Sequence, residues 1–129
     1  MSLLLDTHVA LWWLAGNARL KRKLRERIAS SDCMISVASV WEVAIKYRLG
    51  KLSVSPQIFR DEMRDAGASI ISISDAHAVA FASLPAGHDD PFDLLLLATA
   101  QAERRCLVTA DIKLLGYARG IGGVKVEST

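Results

Sequence analysis

Five short apolar runs, at residues 2–5, 33–37, 69–73, 106–109 and 124–126, are separated by stretches that carry helix signals, and this alternation leaves few folds open to the chain. Each run is strand-sized, and the runs at 33–37 and 69–73 include β-branched residues. Between the first two, Thr7 can cap a helix over residues 9–14, Gly16 and Asn17 break it, and a second helix covers 19–27. Ser39 opens a helix to Leu49 that Gly50 stops. Pro56 suits the first turn of a helix to Arg64. Asp75 can cap another to Leu84, and Pro91 starts an apolar helix over 92–103. A short helix over 112–118 and a Gly-rich turn at 120–123 precede the last strand. Strands alternating with helices predict an α/β fold, an α/β/α sandwich around a central parallel sheet. At 129 residues, one domain spanning 1–129 is large enough to bury its own core.

Composition narrows the classes further. The apolar run at residues 9–15 is too short to span a bilayer and has neither a basic leader nor a cleavage site, so the expectation is a cytoplasmic protein without a membrane segment. Cys33 and Cys106 fall in predicted strands without CxxC spacing and read as two buried, reduced thiols. The formal charge of +2 is too small to define a nucleic-acid partner by itself. The basic residues are clustered, however. In RLKRKLRER, residues 19–27, Leu20, Leu24 and then Ile28 recur every four positions and turn an apolar stripe inward. Arg19, Lys21, Arg22, Lys23, Arg25 and Arg27 are left mostly outward, either as a solvated face or as a surface that steers phosphates.

Four acidic residues stand where strands end or helices begin. Asp6 follows three leucines at the carboxyl end of the first strand, the edge where open α/β sheets place their ligands. Glu42 completes a capping-box pattern with Ser39, and Lys46 lies one turn beyond it. Asp93 is the third helical residue if Asp90 caps and Pro91 comes first, and Asp111 can cap its own short helix. Taken singly, each acid has a capping explanation. Taken together, parallel strands bring all four to one sheet edge, where carboxylates must bind a cation or hold protons. A hard divalent cation such as Mg²⁺ takes oxygen ligands without needing histidine or thiolate, and beside a phosphate it activates water and stabilises a leaving oxygen. Phosphodiester hydrolysis is the chemistry expected of such a pocket.

The runs LLLDTHVALWWL, SVASVWEVAIKYRLGKL, HDDPFDLLLLATA and LVTADIKL, in this order and at these separations, closely resemble PIN-domain ribonucleases of the VapC toxin type. The resemblance covers nearly the whole chain. It implies a PIN-like α/β/α domain that cleaves RNA with Mg²⁺ or Mn²⁺, forms a homodimer, and is inhibited by a small antitoxin that also binds DNA. By motif position it places the family's acidic residues on Asp6, Glu42, Asp93 and Asp111. Asp6 and Asp93 are then the foremost metal ligands, Glu42 completes the pocket, and Asp111 acts directly or through a water. Many relatives carry a basic residue directly after the aspartate matching Asp93. This chain has Leu94 there, which leaves Lys46 as the candidate phosphate contact. Of the neighbouring acids, Asp90 suits the cap.

Other residues carry weaker signals. His8 lies near Asp6, His77 and His88 have less to recommend them, and Thr7 and Thr109 can orient a carboxylate or water. Trp12, Trp13 and Trp41 suit core packing or a dimer surface better than base stacking. HExxH and GxSxG are absent, which removes the usual zinc-protease and serine-hydrolase signatures. Two rivals remain: a receiver-like signalling module that binds Mg²⁺ and accepts phosphate on Asp75, and a PIN-like fold kept as a catalytically silent binding partner.

Overall fold

The computed structural model describes residues 2–122 and 125–129. Its elements, in chain order, are β1 (Ser2–Leu5), α1 (Thr7–Ala15), α2 (Arg22–Ser30), β2 (Asp32–Ser36), α3 (Val37–Arg48), α4 (Pro56–Asp65), β3 (Ser69–Ile71), α5 (Asp75–Phe81), α6 (Pro91–Glu103), β4 (Cys106–Thr109), α7 (Ile112–Arg119) and β5 (Lys125–Ser128). The five strands pair in parallel in the order β3-β2-β1-β4-β5.

Strand periodicity divides the interior into two layers, because successive side chains leave opposite faces of a sheet. Leu3 and Leu5 of β1, Cys33 and Ile35 of β2, and Val108 of β4 join one core, closed by Val9, Leu24, Val43, Phe59 and Met63 from α1–α4. Leu4 and Leu107 point the other way, into a second core with Leu96 and Leu97 of α6 and Leu114 and Ala118 of α7. Buried on both faces, β1 reads as an unbroken leucine run rather than an alternating one. The result is the expected α/β/α sandwich.

Several boundaries differ from the sequence reading, each for a local reason. Helix α1 is capped by Asp6, whose carboxylate accepts the Thr7 N–H, so Thr7 is the first helical residue and not the cap. Helix α3 begins at Val37 because Ser36 caps it by accepting the Ala38 N–H. Ser39 therefore lies inside the helix, and no Ser39–Glu42 capping box forms. Strand β3 stops at Ile71, paired with Ser36 where β2 itself ends, and Ser74, not Asp75, caps α5. The basic helix starts at Arg22, three residues later than read, yet Leu20, Leu24 and Ile28 are all buried as its stripe requires. Arg25 bonds the carbonyls of Leu20 and Asn17, and Arg27 pairs with Glu127, so these two turn back onto the domain. Strand β5 extends to Ser128; Gly123 of the expected turn and Val124 of the expected strand lie outside the described residues. Both cysteines are free, and burial pushes the Cys33 thiol up to about 11, away from reactivity.

Helix α5 is fastened to α6 by a buried histidine. The His77 Nδ1 accepts the Ser74 N–H at 3.1 Å, which places the ring proton on Nε2, 3.1 Å from Glu103 Oε2. Both nitrogens are thus committed, the ring only 2% exposed while Glu103 reaches the surface. Replacing the ring removes both bonds and empties the buried space it fills, so His77→Ala is expected to cost about 1–3 kcal/mol in urea unfolding. Glu103→Ala, which removes only the outer bond, is expected to cost less.

Candidate active site

Strand order decides where a ligand can sit. The chain runs outward from β1 through β2 to β3, then returns to lay β4 on the other side of β1, and such a reversal opens a crevice at the carboxyl ends of the two central strands. Asp6 follows β1 and Asp111 follows β4. The ladder continues past the strands, since the Asp6 N–H donates to the Val108 carbonyl at 3.0 Å.

A cavity of about 330 Å³ occupies this crevice, lined by Asp6, Glu42, Asp93 and Asp111 together with His8, Trp12, Lys46, Asp90 and Ala110. All four sequence candidates therefore face one space, although they come from the β1–α1 junction, α3, α6 and the β4–α7 turn.

Each is held by a specific contact. Asp6 is only 6% exposed. Its Oδ1 accepts the Thr7 N–H and its Oδ2 the Thr109 hydroxyl, both at 2.7 Å. Thr109 Oγ1 in turn accepts the Asp111 N–H at 3.1 Å, tying the end of β4 to the end of β1. Asp111 caps α7 by accepting the Lys113 and Leu114 N–H groups. Thr7 donates its hydroxyl to Ser39 at 2.9 Å, which fixes α1 against α3 one turn before Glu42. Freed from a capping box, Glu42 meets Lys46 at 2.9 Å on the cleft wall. Asp93, at the third position of α6, has its Oδ2 2.8 Å from His88 Nε2, and Asp90 caps the helix while also lining the cleft.

The electrostatics follow from this crowding. Burial raises the Asp6 carboxyl, its hydrogen bonds to Thr109 and Thr7 offset part of the rise, and Glu42 adds repulsion. Asp93 is pushed up to about 6, chiefly by burial; His88 opposes the shift, while Asp90, Asp6 and Asp111 reinforce it. Carboxylates raised by burial and by one another gain from a cation among them. Among the described residues no three His, Cys, Asp or Glu side chains already converge to metal-binding distance. The donor set nevertheless suits a hard cation, because it consists of carboxylate oxygens whose lone pairs are not all taken up by hydrogen bonds.

Sequence reasoning gave His88 little weight, and it is the residue bonded to Asp93. It lies in a loop without periodicity, and its position depends on a contact with α7: the Tyr117 hydroxyl donates to the Pro85 carbonyl. Asp75, the acceptor in the receiver-like alternative, sits in the first turn of α5 beyond the edge strand β3 and is not among the cleft residues. That alternative fails on its geometry.

Residues 3–120 match the PIN domain family model. The chain belongs to the PIN domain family. It is 47% identical over 67 residues to ribonuclease VapC16 of Mycobacterium tuberculosis (strain ATCC 25618 / H37Rv), a match spanning 50% of this chain and about half, 48%, of that relative's length. Among solved structures, VapBC2 from Rickettsia felis bound to a promoter DNA fragment aligns with a TM-score of 0.72 at 20% identity, over 99% of this chain and 98% of that one. A toxin–antitoxin complex from Klebsiella pneumoniae aligns at 0.63 with 25% identity, over 95% and 94% of the two chains.

Proposed function

We propose that this chain is a metal-dependent endoribonuclease, the toxin of a type II toxin–antitoxin pair, hydrolysing RNA phosphodiester bonds in the cytoplasm. The observation that carries the reading is the gathering of Asp6, Glu42, Asp93 and Asp111 around one cleft at the β1–β4 switch. Membership of the PIN family and the likeness to a ribonuclease support it. Asp6 and Asp93 would hold Mg²⁺ or Mn²⁺, with Glu42 beside them and Asp111 contributing directly or through water. The bound ion supplies charge that acidifies a water and stabilises the leaving oxygen. The protein's own part is to fix the carboxylates before RNA arrives: Thr109 and Thr7 hold Asp6, and His88 holds Asp93. Lys46 offers the cleft wall a positive charge for a phosphate, as Leu94 does not.

Protein partners belong to the same reading. Known structures of this fold include toxin–antitoxin complexes, which supports a cognate antitoxin. An apolar groove of Trp41, Ala78, Phe81, Pro91, Phe92 and Leu95, with Trp41 59% exposed, gives the proposed homodimer a surface to bury.

The direct assay is cleavage of single-stranded RNA by the purified full-length chain with Mg²⁺, with Mn²⁺ and with EDTA. Cleavage that appears with either ion and stops with chelator is the expected result. Cleavage unaffected by EDTA would refute the metal dependence. No cleavage with either ion would leave the silent binding partner as the better account.

A further inference from the structure

A second cavity, about 590 Å³ and larger than the cleft, opens beside it and shares Asp90, Asp93 and Asp111 as a common wall. Its far side is made by α7 and the loop before α6. Gly116 is the fifth residue of the eight in α7, where glycine costs roughly 1 kcal/mol relative to alanine. Nothing in the local structure requires it: its φ is not positive, and a Cβ built there would have no heavy atom within 4 Å. What the missing side chain leaves is cavity space.

The wall beside Gly116 is aromatic and already formed. Gly87 has φ +129°, and a Cβ on it would meet the Tyr117 ring at 3.5 Å, so the loop lies flat against that ring. The Tyr117 hydroxyl bonds to Pro85, and the His88 ring stands 5.5 Å from the Tyr117 ring, tilted by 32°. His88 therefore links the two spaces: its ring lines the second cavity, and one nitrogen bonds Asp93 of the common wall. The shared carboxylates repel a phosphate from the interior, which leaves an uncharged planar group as the occupant. Lys113 is exposed on the lining and suits a backbone phosphate outside.

We infer that this cavity receives the base of the nucleotide adjoining the scissile linkage of single-stranded RNA, packed against the Tyr117–His88 wall, with Lys113 holding its phosphate. The inference rests on the ribonuclease reading for its substrate, and the volume falls in the ~300–1,000 Å³ range of small-ligand sites. Base–aromatic stacking is sequence-tolerant, so the site anchors RNA beside the acids.

The test is a graded series at Gly116 in the full-length chain, read by KM and kcat on an oligoribonucleotide and by NMR titration with adenosine 5′-monophosphate in EDTA. Gly116→Ala should keep the wild-type KM and unfold at higher urea, since it only improves the helix. Gly116→Leu and Gly116→Trp should fill the cavity, raise KM at least ~10-fold and leave the fold as stable as before. The nucleotide should shift the Gly116, Tyr117 and Lys113 amides of the wild type and not those of Gly116→Trp. Unchanged KM in the Leu and Trp variants alongside normal cleavage would overturn the site and leave the ribonuclease reading intact. If the wild-type chain cleaves no RNA, the titration decides alone: shifts at Gly116 and Tyr117 uphold the nucleotide site, and their absence ends it.

Discussion

Asp6→Asn is expected to reduce RNA cleavage by about 10³-fold or more while leaving the fold as stable as the parent. The activity should fall because a ligand charge disappears where transition-state charge must be stabilised, a contribution worth several kcal/mol. Stability should survive because asparagine has the same shape and its oxygen can still accept the Thr7 N–H, while its amide can donate to Thr109. The carboxylate, whose charged form burial disfavours, is replaced by a neutral amide at the same time. Asp93→Asn should behave alike, with its His88 contact kept by the amide oxygen if Nε2 carries the proton. Cleavage kinetics and urea unfolding on the same preparations check both halves. Full activity in both variants would refute the assigned site; loss of fold would show that the carboxylates are structural.

The second large effect is a coupling of pH, metal and stability. Asp93 has a carboxyl near 6 in the fold against an ordinary value of 3.8, so between those limits the folded chain holds a proton that the unfolded chain has released. Its contribution is present in full below the ordinary value and is lost as pH rises through about 6. Asp6 shifts in the same direction and adds to the loss. Without divalent metal, these two groups should make the melting temperature decline across that window. Mg²⁺ at 100 times its dissociation constant should return about 2.7 kcal/mol at pH 7.5, several degrees in melting temperature. At pH 5 protons compete for the same oxygens and the gain should shrink. Sodium at matched ionic strength should not reproduce it. Calorimetry of wild type and Asp93→Asn decides the matter: a variant with the same pH slope and the same Mg²⁺ gain would show that Asp93 carries neither.

Much of the architecture was legible because the central strands are short, wholly apolar and separated by strong breakers. Asp90 before Pro91 marked the start of α6, and the leucines of β1 marked a strand buried on both faces. The local patterns misled where two caps competed. Ser36 and Ser39 both precede helical sequence, and the choice between them decided whether Glu42 closed its own helix or faced the cleft. Ser74 and Asp75 posed the same problem, settled by His77 closing the capping box. What sequence pattern did not reveal depends on contacts across the chain. The bond from Tyr117 to Pro85 spans 32 residues and sets the loop that carries His88 to Asp93. The open space beside Gly116 exists only once α7 and that loop are in place.

The most direct test of the central claim is a crystal of the chain soaked in Mn²⁺ and measured at the manganese absorption edge. The account predicts an anomalous peak between Asp6 and Asp93, within coordination distance of both carboxylates. A peak bound elsewhere, or none at saturating Mn²⁺ near pH 7.5, would contradict it.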